Sequence, residues 1–226
     1  MQATTRQNAA HSQNAHRGSQ ALTVEQATKN IARFARRATA KQWLAGSRWY
    51  DEANSFCSTL AQHHGFPVAA VAGCLAALSP QCAWSENLLG TLAMVRTRQV
   101  SGKSSIYPVN VTKAFSIVHE GARPETVLGG NKVKAFYANV LNPRYSKAVT
   151  VDTHAARAAF NKYDLTAQEQ SFVFRSKGNQ IVQQAYRNVA KRYHVLPMKL
   201  QATVWLRVKA DLVYKPEVEQ LGLYIK

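Results

Sequence analysis

The run PVAAVAGCLAAL at 67–78 constrains this chain more than any other stretch. Its apolar residues recur at helical spacing and leave almost no polar face, with Pro67 placed for a first helical turn. A helix that is hydrophobic nearly all round is stable in water only inside a shell of other elements. The flanking segments read as that shell: 47–63, with Trp49, Tyr50, Ala53, Phe56 and Leu60, and 84–99, with Leu88, Leu89, Leu92 and Val95, are also apolar at helical spacing. Thr23 reads as an N-cap, with Gln26 at the capping-box position, for a helix to about Arg37 whose apolar face is Val24, Ala27, Ile31 and Phe34. After a Gly, Ser and Pro-containing connection at 101–109, further helices are expected near 110–119, from Pro124 to Gly129 and Gly130, and over 131–141, 153–161, 178–193 and 198–210. The stretch 148–151 is extended but isolated, and no internal repeat is present. The expectation is an all-α fold around a central buried helix, in one compact unit or in two helical lobes made from interleaved parts of the chain.

Charge narrows the partner. Lys and Arg total 29 against 12 Asp and Glu, a formal net charge of +17. Such an excess repels itself unless a polyanion offsets it, and nucleic acid is the leading candidate. Lys29, Arg33, Arg36, Arg37 and Lys41 follow one another without an intervening acid, so the first helix offers either a phosphate-contacting face or a solvated one. Lys191, Arg192, Lys199, Arg207 and Lys209 suggest a second basic face, with the same two readings. Residues 1–22 lack acids and are rich in Gln, Asn, Ala and Ser, which predicts a disordered basic tail ahead of one folded domain over 23–226. No apolar run reaches the roughly 18 residues a membrane span needs, so a soluble, cytoplasmic protein is expected. Cys57, Cys74 and Cys82 form no CxxC pair, and His63 and His64 are adjacent rather than four apart; neither a disulfide framework nor a metal site nor any other cofactor is expected.

Acids being scarce, Asp152 stands out. It is the only one between Glu125 and Asp164, it follows Ala148, Val149 and Val151, and it precedes a helix. A helix N-terminus stabilises a carboxylate through its dipole and its free N–H groups, and an N-cap role alone would account for the residue. Twenty residues upstream, LGGNKVKAF at 128–136 sets two glycines before a lysine at a helix start, an arrangement that offers backbone N–H groups to a phosphate.

With that hairpin and VDTH at 151–154, the chain resembles the helix-hairpin-helix DNA glycosylases, the endonuclease III and oxoguanine glycosylase superfamily. AALSPQCAWSENL at 76–88 is similar to the family's LLSxQ segment and the Asn that follows, with Ser79, Gln81 and Asn87 on those positions. VWLRVK at 204–209 is similar to the Trp-Leu helix late in the family's common core, so the likeness spans roughly 47–210. There are departures. The hairpin is two residues shorter than the family's Leu-x-Gly-x-Gly-x-Lys, and the four-cysteine iron–sulfur loop is absent.

The resemblance implies a helical bundle of that type and a monomer that binds double-stranded DNA, extrudes a damaged or modified base and excises it. A compatible origin is a virus or mobile element. Asp152 would be the essential carboxylate. Lys132, with Lys134 competing by spacing, would be the amine of a Schiff-base step or a phosphate contact. Gln81 would fill the vacated stack; Gly129, Gly130, Asn131, Lys134, His154 and Arg157 would meet the DNA; Ser79, Asn87 and Trp84 would border the base. Trp84, Tyr50, Phe136 and Tyr137 are equally arguable as pocket lining or core. Two other functions fit the same scaffold: a transferase replacing an activated group on a hypermodified pyrimidine of viral DNA, and a noncatalytic DNA-binding protein.

Overall fold

The computed structural model describes residues 22–100 and 106–213; the expected tail, apart from Leu22, lies outside them. All regular structure among the described residues is helical. Lobe one holds α2 (Ala40–His64), α3 (Val68–Leu78), α4 (Trp84–Thr97), α5 (Pro108–His119), α6 (Pro124–Val127) and α7 (Asn131–Leu141). Lobe two holds α1 (Val24–Arg37), α8 (Thr153–Phe160), α9 (Ala167–Phe174) and α10 (Ser176–Arg192), and α11 (Pro197–Val213) joins the two.

The ends of these helices follow local chemistry. Thr23 caps α1 by accepting the Gln26 N–H at 3.1 Å, while the Gln26 side chain turns to Asn30 instead of closing the capping box. The α2 helix begins at Ala40, ahead of the periodic stretch at 47–63, because Thr39 and Gln42 do form a reciprocal capping box. Its end is fixed by Gly65 at φ 72°, a left-handed residue that glycine adopts without strain. A second capping box, Thr166 with Glu169, starts α9, a helix the apolar spacing does not announce.

Val71 to Leu78 of α3 are all buried, as the run demands. Pro124 packs where a Gly73 side chain would stand, its ring carbons 2.7 and 2.9 Å from that Cβ position, so α6 closes directly on α3. This buried helix is the centre of lobe one only, which corrects the expectation that it lies between the lobes. The shared element is α11: Met198 and Ala202 enter the first core, while Leu200, Val204 and Val208 enter the second. Two apolar stripes of period four, two residues out of phase, lie on different faces of one helix and bind two cores. The second core also takes Val149 and Val151 from the extended stretch, and Leu22, so the folded body begins at least one residue before Thr23.

The expected second basic face does not hold together. Arg207 is turned to Asp211, Lys199 reaches Asp51 at 3.1 Å, and Lys209 lies over the Trp205 ring. Lys191 and Arg192 remain exposed at the end of α10. On α1 the basic residues Lys29, Arg33, Arg36 and Arg37 are exposed opposite buried Ala27, Ile31 and Phe34. No helix among the described residues is long and apolar enough to cross a membrane.

Candidate active site

A cavity of about 380 Å³ opens on the seam between the lobes. It lies toward the lower end of the roughly 300–1,000 Å³ range of small-molecule sites. The extended stretch from Ala148 delivers its carboxylate. In extended chain successive side chains point to opposite sides. Val149 and Val151 enter the second core, so Thr150 and Asp152 face the cavity, whose wall they form. Asp152 is also the N-cap of α8, its Oδ1 accepting the Ala155 N–H at 2.8 Å. The capping role and the site role therefore coexist in one residue, leaving the second carboxylate oxygen to the cavity.

Thr150 is anchored from behind. Asn139 Nδ2 donates to its Oγ1 at 3.1 Å, and Tyr50 Oη lies 3.0 Å from both Thr150 Oγ1 and Gln201 Oε1. An amide oxygen only accepts, so the single phenol proton goes to Gln201 and the Thr150 hydroxyl donates to Tyr50. Burial, with the Asp152 charge adding to it, pushes Tyr50 up to about 12, so it remains a phenol. This chain ties α2, α7, α11 and the extended stretch together behind the carboxylate.

The opposite wall is aromatic. Trp49 lies between Trp84, at 5.1 Å, and Trp205, at 5.0 Å, and Phe136 stands edge-on to Trp84. His154 meets Trp205 edge-on at 5.9 Å, with its Nδ1 3.3 Å from Arg157 NH1. A guanidinium only donates, which leaves the imidazole proton on Nε2. Burial holds His154 below the ordinary histidine range, with Arg157, Lys209 and Lys132 adding to that and Asp152 opposing it.

The loop from Ser79 to Ala83 forms the rim. Ser79 Oγ donates to the Ala76 carbonyl at 2.9 Å, closing the end of α3. Exposed Gln81 adopts φ 56°, an uncommon conformation for a residue with a Cβ. The Tyr107 hydroxyl donates to its Oε1 at 2.6 Å. Asn87, 2% exposed, borders the cavity from α4, and its Oδ1 is buried without a hydrogen-bond partner among the described residues. Lys132 enters from the first turn of α7.

Seven of the residues singled out in the sequence thus line one cavity: Asp152, Lys132, Gln81, His154, Ser79, Asn87 and Trp84. Of the four aromatic residues, Tyr50, Phe136 and Trp84 line it, whereas Tyr137 packs in lobe one with its hydroxyl donating to Glu125. Gly129, Gly130 and Asn131 stay outside the cavity, exposed at the start of α7, with Gly130 at φ 72° as its N-cap and Asn131 as its first residue. Lys134 is exposed and does not line the cavity, which leaves Lys132 as the hairpin amine beside Asp152. Arg157 stands behind His154 and donates from Nε to the Tyr163 carbonyl.

Trp49, Thr150, Gln201, Trp205 and Lys209 were not anticipated as lining. Gln201, Trp205 and Lys209 follow one another at four-residue spacing, which puts them on one face of α11. That stripe was the available signal, and Thr150 was available from alternation with Val149 and Val151. Among the described residues no group of histidine, cysteine, aspartate and glutamate is arranged to hold a metal.

The chain belongs to a family of unknown function, DUF7178, whose model matches residues 13–211. No curated protein and no solved structure matches it.

Proposed function

We propose that this protein is a DNA glycosylase that extrudes a damaged or modified nucleotide and breaks its N-glycosidic bond beside Asp152. The supporting observation is convergence. Residues from 79–87, Lys132 and 152–154 border one cavity that holds a single carboxylate against an aromatic wall.

A base inside a duplex is out of reach, so the nucleotide must leave the stack and the gap must be filled. Gln81 is exposed at the rim, with its amide already steadied by Tyr107, and suits the filling role. The indoles offer faces on which an extruded base stacks. Heterolysis of the bond from C1′ to the base sends the electron pair to the base and leaves oxocarbenium character on the sugar. The Asp152 carboxylate stabilises that charge. A water then bonds to C1′, giving one proton to Asp152, which returns it to the departing base. In the bifunctional variant of this reaction the neutral Lys132 amine attacks C1′ in place of water and gives up one proton, after which the C1′–O4′ bond breaks, O4′ takes a proton, and the iminium that borohydride reduces remains. Net positive charge of +17 supplies the attraction to duplex phosphate.

The test is base release and borohydride trapping on duplexes carrying uracil, hydroxymethyluracil, other modified pyrimidines, oxoguanine, alkylated purines or an abasic site. Asp152→Asn keeps a good N-cap, so the fold is retained while release falls at least about a hundredfold. A trapped adduct lost in Lys132→Ala adds lyase chemistry. Tight, salt-sensitive binding with no release from any substrate overturns excision and favours the transferase or the noncatalytic module.

A further inference from the structure

Two lysine side chains line the cavity, and neither is paired with an acid among the described residues. Lys132 enters from α7 and Lys209 from α11, and among the described residues no carboxylate lies within ion-pair reach of either. The contrast with the neighbouring bases is instructive: Lys199 and Arg207, on the same helix as Lys209, are both engaged by aspartates. Asp152 borders the same space with one oxygen held by the α8 N-cap and the other facing the cavity, and it forms no ion pair with either lysine. Lys209 is held instead over the indole of Trp205, its Nζ 4.5 Å from the ring centroid. A cation–π contact keeps an ammonium in place without neutralising it.

Like charges gathered in a partly enclosed cavity raise its potential and concentrate anions there. Lysine is a point-charge phosphate binder, suited to a group that arrives in varying orientations. We infer that Lys132 and Lys209 together form a subsite for a phosphate-class oxyanion, seated beside Asp152 as part of the substrate. This rests on the reading of the cavity as a nucleotide pocket, and it deepens that reading. The oxyanion has two possible sources, the backbone phosphate of the extruded nucleotide and an acidic substituent carried by the base. In either case Lys132 serves as an ammonium clamp, so excision proceeds through water and leaves no borohydride-trapped adduct.

The experiment uses the full chain and Lys209→Met, which keeps an unbranched stem over Trp205 and removes the charge. Inorganic phosphate and pyrophosphate are titrated by calorimetry. Separately, affinity is measured for a duplex with a tetrahydrofuran abasic analogue whose flanking phosphates are native or replaced by methylphosphonates. A backbone source is indicated when methylphosphonates weaken the wild type about tenfold or more and leave Lys209→Met unchanged. A base-borne source is indicated when pyrophosphate or phosphate binds the wild type, Lys209→Met loses that binding about tenfold, and the methylphosphonates have no effect. Either result supports the subsite, and for the backbone source the salt slope of duplex binding should drop by about one unit in Lys209→Met. The inference is overturned if Lys209→Met matches the wild type in every titration, or if an adduct to Lys132 is trapped. These outcomes are separate from base release, which tests the glycosylase reading itself.

Discussion

Substituting Gly46 by alanine isolates the seam on which the cavity sits. In an ordinary helix interior this change stabilises by about 1 kcal/mol, because alanine loses less backbone entropy. Here a Cβ would stand 2.6 Å from both the Cα and the N of Thr203, and closer still to its hydroxyl. Two of those atoms belong to the backbone of α11, so no rotamer change relieves the contact and the helices must separate. Overpacking of a tight site costs about 1–3 kcal/mol, and a backbone clash belongs at the upper end. After the propensity gain the net loss is about 2 kcal/mol. For a domain of this size each kcal/mol moves the midpoint about 2–4 °C, so Tm should fall by roughly 4–8 °C. Thermal unfolding followed by circular dichroism measures it. The near-ultraviolet signal should also weaken, because Trp49 on α2 and Trp205 on α11 are stacked across that crossing at 5.0 Å. An unchanged or raised Tm would refute the close approach of the two helices.

Three further outcomes follow from the same contacts. Tyr50→Phe leaves Gln201 Oε1 buried without its donor and should destabilise by about 1–3 kcal/mol; chemical denaturation checks it, and a neutral result would break the assigned chain from Asn139 to Gln201. His154 is held below its ordinary value of 6.5 in the folded chain, so the unfolded state binds the proton first. Stability should therefore decline as pH falls below about 6.5 and on toward the folded value, and urea midpoints should show a shallower decline in His154→Gln. Asp211 accepts from Arg37, Arg207 and the Tyr163 hydroxyl; Asp211→Ala strands a largely buried guanidinium and should cost about 3 kcal/mol in denaturant titrations.

Much of lobe one was legible because its sequence carries two strong signals, an all-round apolar helix and amphipathic partners flanking it. What was misjudged had physical reasons. The start of α2 and the whole of α9 are set by capping boxes at Thr39 and Thr166, which act through hydrogen bonds at the helix end and leave apolar spacing unchanged. The role of α11 depends on two interleaved stripes, Met198 with Ala202 and Leu200 with Val204 and Val208, which read together as one apolar helix. In the site, Asp152 stood out because acids are rare in this chain and because it sits at an extended-to-helix junction. Lys209 is exposed, as a basic surface residue would be, and charge alone does not show that it also lies over the Trp205 indole at the cavity.

The cavity owes its location to the fact that neither core could enclose it alone. Thr150 and Asp152 belong to a stretch whose alternate residues, Val149 and Val151, fill the second core. The hydroxyl and amide that steady Thr150 come from Tyr50 and Asn139 in lobe one, and Gln201 closes the chain from α11. The carboxylate is thus fixed by lobe two and oriented by lobe one, and α11 transmits any relative shift directly to Trp205 and Lys209. The proposed oxyanion, held by Lys132 of α7 and Lys209 of α11, would bridge the same seam. On the proposed reading, the energy of holding a nucleotide across that seam is coupled to the placement of Asp152 rather than confined to affinity.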